Sequence, residues 1–286
     1  MTTRTRRLTQ LGLGAAFAGT TFLTACGGQP ENPEPQATTP PAAAETSATP
    51  MPAEEPAEAA VAPSGEGEGE GGVLIDQAGT NPVVFRSALA ITEAHIVAAR
   101  DAYKVGETDA AAEMFAHPVS EVLFDVGPYL EARGVENFDQ MLLDASEAVF
   151  QGETTEQIDA RTDEIIATLR SAAEKAPDDG SSEALIQAGV AADQLDRAAT
   201  MYGIAGESDE YEPYLDGYGF VIAGKAAFEA EKTAIEAELP DVAAALETAL
   251  TQLEMAYPTV ERPEALDHNP AALTGSVSAL LLALGQ

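Results

Sequence analysis

The sequence predicts an all-α protein, a bundle of about seven or eight helices that follows a disordered tether. Ala88, Ile91, His95, Ala98 and Ala102 recur at helical spacing along one face of the first predicted helix. After residue 83 there is no alternating Val/Ile run with hairpin turns, the pattern that indicates β-strands. We expect residues 73–286 to form this single helical domain, which is long enough to enclose a substantial core.

Glycine, proline and capping residues set the predicted ends of the helices. Gly106 separates the first two helices, Pro118 breaks or kinks the second, and Gly134 ends its continuation. The segment 177–180 and the prolines at 213, 240 and 270 mark the later boundaries. The predicted helices are 83–104, 109–116, 119–133, 137–151, 155–176, 182–202, 213–239, 240–257 and 270–284.

A short motif occurs twice, 100 residues apart. The sequence Gly-Glu-Thr-Asp at 106–109 returns as Gly-Glu-Ser-Asp at 206–209, each time after an Ala-rich helix. One interpretation is a duplicated helical hairpin, which would give two related halves. The other is that two independent helix caps use similar chemistry.

The charge of the chain excludes some classes of partner. Its 286 residues include 48 acidic and 14 basic side chains, giving a formal net charge of −34. Binding to a phosphate backbone requires clustered Lys and Arg, so we expect no nucleic-acid partner. The chain has one cysteine, which excludes an intrachain disulfide framework and any site with several cysteine ligands.

The first 25 residues have the features of a secretory signal peptide. Three arginines precede an apolar stretch at 8–22 that is too short and too rich in Gly and Thr for a stable membrane-spanning helix. The following Leu23-Thr24-Ala25-Cys26 resembles the bacterial lipobox, in which the cysteine is lipidated and becomes the first mature residue. The resemblance implies a membrane anchor at Cys26 and a cell-envelope location facing the periplasm or the exterior. The export route, general secretory or twin-arginine, stays open.

Residues 26–72 are predicted to be a disordered tether. Between residues 27 and 72 there are nine prolines and nine glutamates, with no basic or aromatic residue. Such a segment cannot bury enough apolar surface to offset its loss of conformational entropy. The glutamates are either a solvated spacer or a weak cation buffer.

Two of the three histidines form a candidate metal site. His95 and His117 are equidistant from Gly106, so in an antiparallel hairpin the two imidazoles face each other. Glu113 and Glu121 lie four residues to either side of His117. Imidazoles and carboxylates converging between helices suit iron, copper or zinc. The alternative is a hydrogen-bonded core histidine beside solvated glutamates.

A second candidate site is a tyrosine-rich acidic segment. Tyr211, Tyr214, Tyr218 and Asp216 lie within eight residues of one another. Tyrosines supply contact area and carboxylates supply charge, so the segment is a candidate surface for docking a partner. The alternative is that these tyrosines pack a helical hairpin and expose only their polar ends.

No catalytic motif accompanies these sites. The sequence lacks the zinc-hydrolase His-Glu-x-x-His, the Gly-x-Ser-x-Gly nucleophile elbow, a phosphate-binding loop and the Glu-x-x-His of di-iron bundles. We therefore expect a binding protein and not an enzyme.

An acidic, Ala-rich, lipobox-bearing bundle with His117-Pro118-Val119-Ser120-Glu121 near a helix break resembles bacterial imelysin-type and iron-uptake-associated periplasmic proteins. Those are helical bundles, some with duplicated halves, whose His-x-x-Glu motif is implicated in metal binding. Here the spacing is one residue longer, and Ala116 replaces the usual leading glycine. The resemblance implies metal binding at His117 and Glu121, iron or copper handling in the envelope, and an envelope transport or redox partner. The competing expectation is a non-catalytic module that docks another envelope protein.

Overall fold

The computed structural model describes residues 75–285, which belong to one compact unit, Val61–Gln286. Within this range the regular structure is helical throughout and contains no strand, which confirms the predicted all-α fold. The predicted signal peptide, Cys26 and the tether lie outside the described residues.

Ten α-helices follow one another across the described residues. A short 3-10 turn, Ile75–Gln77, precedes them, and a π-helical turn, Val119–Leu123, separates the second from the third. The helices are α1 Pro82–Val105, α2 Thr108–Pro118, α3 Phe124–Ala132, α4 Asp139–Gln151, α5 Thr155–Ala173, α6 Glu183–Glu207, α7 Glu212–Ala230, α8 Lys232–Glu238, α9 Pro240–Ala256 and α10 Pro270–Leu284.

The observed helices exceed the predicted seven or eight because long predicted segments are interrupted. The helix expected over 213–239 is divided into α7 and α8 at Glu231, whose backbone φ of −125° leaves the helical region. The segment expected over 119–133 begins with the π-helical turn. Helix α6, in contrast, continues five residues beyond the predicted end at Tyr202.

Local signals explain both ends of α1. The Asn81 side chain accepts hydrogen bonds from the backbone N–H groups of Val83 and Val84, and Pro82 occupies the first turn, where no N–H is needed. At the other end Gly106 adopts a left-handed conformation with φ of 92° and donates to the last carbonyls of the helix. The second copy of the motif differs, since Gly206 lies inside α6, which continues to Glu207. Duplication of the hairpin therefore stays a prediction.

Helices α1, α6 and α7 form the centre of the bundle. Helix α1 packs against α2, α5, α6 and α7, while α6 also contacts α9 and α10. Among the described helices only α1 is long and apolar enough to cross a bilayer, and 72% of its most apolar window is buried inside the protein. The apolar residues of α1 therefore pack in the core of this domain.

Helix α7 approaches its neighbours unusually closely, and glycines make this possible. A Cβ atom built on Gly219 would lie 2.4 Å from the backbone oxygen of Ala94 on α1. A Cβ on Gly217 would lie 1.9 Å from the hydroxyl of Tyr257. Because both distances are far below van der Waals contact, only glycine fits at these two positions without movement of the neighbours.

Replacing Gly219 by alanine is expected to destabilise the protein. The added methyl group would press against the backbone of α1, and overpacking of this kind costs about 1–3 kcal/mol. The matched control is Gly203→Ala on α6, where no atom lies within 4 Å of the added Cβ. That control should gain up to about 1 kcal/mol from helix propensity. Urea unfolding checks both, and equal stability of the two variants would contradict the close approach.

Candidate metal site

His95 lies at the centre of the bundle with one ring nitrogen fixed by the backbone. The residue is 1% exposed, and its Nδ1 lies 2.8 Å from the carbonyl oxygen of Ile91. Because a carbonyl oxygen can only accept, Nδ1 must carry the proton and donate it. When the ring is neutral, the lone pair is therefore on Nε2, and this is the form in which an imidazole binds a metal.

His117 lies next to His95, at the end of α2. The two ring centroids are 6.5 Å apart and the ring planes make an angle of 64°. The His117 side chain is 18% exposed, so it connects the interior with the surface. The symmetric spacing of the two histidines about Gly106 thus correctly predicted their proximity.

Pro118 changes the course of the helix just after His117 without ending it. Proline has no N–H, so the carbonyl of Met114 loses the donor that an α-helix would provide. The following turn widens, and the N–H of Phe124 donates to Val119, five residues back. A single π turn inside a helix is rare and often marks a functional site. The predicted break at His117 is therefore a widened turn that keeps the chain helical.

This π turn carries Glu121 to the histidines. One ligand atom from each of His95, His117 and Glu121 lies within 4.8 Å of the other two. The Oε2 atom of Glu121 is buried and accepts no hydrogen bond from the described residues. Two imidazoles and a carboxylate with a buried, available oxygen are a donor set for a transition metal.

Glu113 lies at the outer side of His117 together with a residue that the sequence did not indicate. The Nε2 atom of His117 is 3.3 Å from Oε1 of Glu113, and its Nδ1 is 3.4 Å from Oε1 of Glu212 on α7. Both carboxylates are exposed by two fifths or more. A recess of about 190 Å³ lies between α2 and the start of α7 and is lined by both of them. His117 therefore belongs to two sets of side chains. One set is His95, His117 and Glu121, and the other is Glu113, His117 and Glu212, whose carboxylates are exposed.

Asp216 lies beside His95, although the sequence analysis placed it on a docking surface. Its side chain is buried, and its Oδ1 lies 3.6 Å from Nε2 of His95. Phe220, one turn further along α7, places its ring edge-on to His95 with 5.8 Å between the centroids. The spacing of Asp216 and Phe220 on one helix was the only local signal for this arrangement.

The predicted docking surface is wrong for Tyr214 and Asp216, because both are buried and offer no area to a partner. The Tyr214 hydroxyl donates to the carbonyl of Thr259 at 2.8 Å, and burial raises the pKa of this phenol to about 12. The half-buried Tyr211 donates to the carbonyl of Val260 at 2.8 Å. These tyrosines hold the segment after α9 against the bundle. The packing alternative is correct that they are structural, but their hydroxyls bond to backbone carbonyls instead of standing exposed.

Tyr218, the last of the predicted docking residues, is also half-buried and structural. Its hydroxyl donates to a carboxylate oxygen of Asp101 on α1 at 3.1 Å. Burial and the Asp101 carboxylate raise the pKa of this phenol, so it stays protonated and does not compete as an anionic ligand. The third histidine, His268, packs its ring against Tyr202, away from the other two.

Comparisons of the chain with protein-family models, with curated proteins and with solved structures gave no match. The resemblance to imelysin-type proteins therefore remains an expectation from His117 and Glu121.

The tautomer of His95 gives a direct test of the site geometry. We expect a long-range ¹⁵N–¹H correlation spectrum of the metal-free protein to show a protonated Nδ1 that exchanges slowly with water. The hydrogen bond to Ile91 and the burial of the ring are the reasons. An unprotonated Nδ1 resonance would contradict the assignment of Nε2 as the metal-facing nitrogen, and His268 provides the partly exposed reference.

Proposed function

We propose that this protein is a lipid-anchored protein of the cell envelope that binds a transition metal and serves metal uptake or homeostasis. The convergence of His95, His117 and Glu121, with ligand atoms within 4.8 Å of one another, carries the proposal. Atoms that share one ion at 2.0–2.2 Å can be at most about 4.4 Å apart, so small side-chain rotations suffice to close the site.

The donor set favours iron or copper over zinc. Two imidazoles and one carboxylate are the ligands typical of non-haem Fe(II) sites. Copper(II) binds such nitrogen and oxygen donors most tightly among the divalent first-row metals. A structural zinc site is instead usually closed by four ligands, often with cysteine, and the one cysteine here is the predicted lipidation residue.

The surroundings of His117 support delivery of a cation from outside. The chain carries a formal net charge of −34, which raises the local concentration of cations at low salt. The exposed carboxylates of Glu113 and Glu212 lie at the outer side of the ring. A partly exposed ligand between these carboxylates and the buried His95 suits reversible binding and transfer to an envelope transport or redox partner.

Metal binding should stabilise the protein and should depend on His117. We expect the full chain, purified without chelators, to bind one Fe(II) or Cu(II) ion. At 100 times the dissociation constant, binding adds about 2.7 kcal/mol, or roughly 5–10 °C in melting temperature for a domain of this size. His117→Gln should lose the ion and the shift, whereas His268→Gln should retain both. Metal analysis and thermal unfolding measure the effect. The proposal fails if the wild-type chain carries no stoichiometric metal and its melting temperature does not change when iron or copper is added.

The predicted anchor has its own test. Cys26→Ser should abolish incorporation of a labelled fatty acid and move the protein from the membrane fraction to the soluble fraction. Thr24→Ser, which leaves the cysteine in place, is the control. Retention of the Cys26→Ser variant in the membrane fraction at unchanged mass would rule out lipidation at this residue.

A further inference from the structure

We infer that this protein has an outer metal position, made by Glu113, His117 and Glu212, through which a divalent ion enters and leaves. The inner position is the site of the proposed function, which comprises His95, His117 and Glu121, and the inference rests on that function. One ligand atom from each of the three outer residues lies within 4.8 Å of the other two. The outer position therefore has the same ligand spacing as the inner one.

Both nitrogens of the His117 ring face a carboxylate of the outer position. Nε2 lies 3.3 Å from Oε1 of Glu113, and Nδ1 lies 3.4 Å from Oε1 of Glu212. The Nδ1 atom is buried and forms no hydrogen bond with the described residues. An imidazole nitrogen and two carboxylate oxygens at this spacing can close around one divalent ion by small side-chain rotations.

The outer position is open to solvent, whereas the inner position reaches into the core. Glu113 and Glu212 are exposed and line a recess of about 190 Å³ between α2 and the start of α7. His95, in contrast, is 1% exposed. Moving an ion from water into the interior is costly unless charged partners replace its water. Carboxylates at the entrance lower that cost, so the recess is the side from which an ion reaches His117.

The chemistry of His117 makes the two positions alternatives for a single ion. A neutral imidazole carries one lone pair, so this ring binds one ion at a time. Each of the two groups includes one ligand atom from the His117 ring. The two positions are therefore filled in turn. Rotation about the bond between Cβ and the ring is soft in histidine, so the ring can redirect its lone pair from one group to the other.

The two donor sets divide capture from selection. The outer position combines one imidazole with two exposed carboxylates, and carboxylate oxygens accept hard cations as well as transition metals. The inner position adds a second imidazole and has one carboxylate, from Glu121. Nitrogen donors favour first-row transition metals over Mg²⁺ and Ca²⁺. We therefore expect the outer position to bind divalent ions weakly and the inner position to retain a transition metal.

Stopped-flow mixing of the full chain with Co(II), a spectroscopic probe for divalent ions, tests this route. An intermediate position on the only fast path speeds entry and exit by the same factor and leaves the final equilibrium unchanged. In Glu113→Gln we expect the association and dissociation rate constants both to fall roughly tenfold. The dissociation constant should stay within about twofold, because Glu113 does not belong to the inner position. Glu212→Gln should behave in the same way, and a chase with excess EDTA measures the dissociation.

The matched control is Glu210→Gln. Glu210 lines the same recess as Glu113 and Glu212, but it belongs to neither group of ligands. Its replacement removes the same charge, and it should change the two rate constants by about twofold or less, because an exposed charge that does not contact the ion acts only through screened water.

Each outcome decides the question. An association rate in Glu113→Gln equal to that of the wild type overturns the inference and leaves the proposed function standing, with Glu113 as an ion-pair partner of His117. Equal slowing by Glu210→Gln also overturns it, since the general charge of the recess would then explain the rates. Failure of the wild-type chain to bind Co(II), Fe(II) or Cu(II) removes the proposed function itself, together with this inference.

A measurement at saturation tests whether the two positions exclude each other. We expect one Co(II) ion per wild-type chain at excess metal, because His117 has one lone pair to offer. Two bound ions, both lost in His117→Gln and only one lost in Glu113→Gln, would show that the positions are filled together. That result would overturn the transfer of one ion between them.

Discussion

The close contact between α7 and α1 at Gly219 and Ala94 is the constraint on which the rest of the structure depends. A Cβ at this position would lie 2.4 Å from a backbone oxygen, so the two helices can meet here only through glycine. The contact brings Asp216 and Phe220 to His95 and thereby builds one wall of the candidate site. Helix α1 can accept such neighbours because it is the central helix, surrounded by α2, α5, α6 and α7.

The opposite wall depends on Pro118. Without an N–H this residue cannot continue the α-helical ladder, and the chain responds with a π turn, Val119–Leu123, instead of a break. The wider turn places Glu121 beside His117 and leaves its Oε2 buried without a hydrogen bond from the described residues. A proline and a glycine, both unfavourable inside helices, therefore lie on either side of the site, where the packing of several helices compensates for their local cost.

The electrostatics of the protein act at two levels. The large negative charge is spread over the chain and is screened within about 8–10 Å at physiological ionic strength, so it attracts cations without selecting among them. Selection requires the buried donors, where desolvation makes the position and charge of each group decisive. His117 lies between the exposed acidic surface and the buried donors. Its ring contacts the exposed Glu113 and Glu212 and also faces the buried His95.

The sequence by itself determined the helical class, most helix ends, and the meeting of His95 with His117. Periodicity, caps and symmetry about Gly106 depend on neighbours within a few turns, so they can be read locally. Only the tertiary structure decided that Glu212 and Asp216 join the histidines and that the tyrosines near them are structural. These residues lie about 100 positions from His117 along the chain, and their placement follows from helix packing at a glycine, which no local pattern encodes.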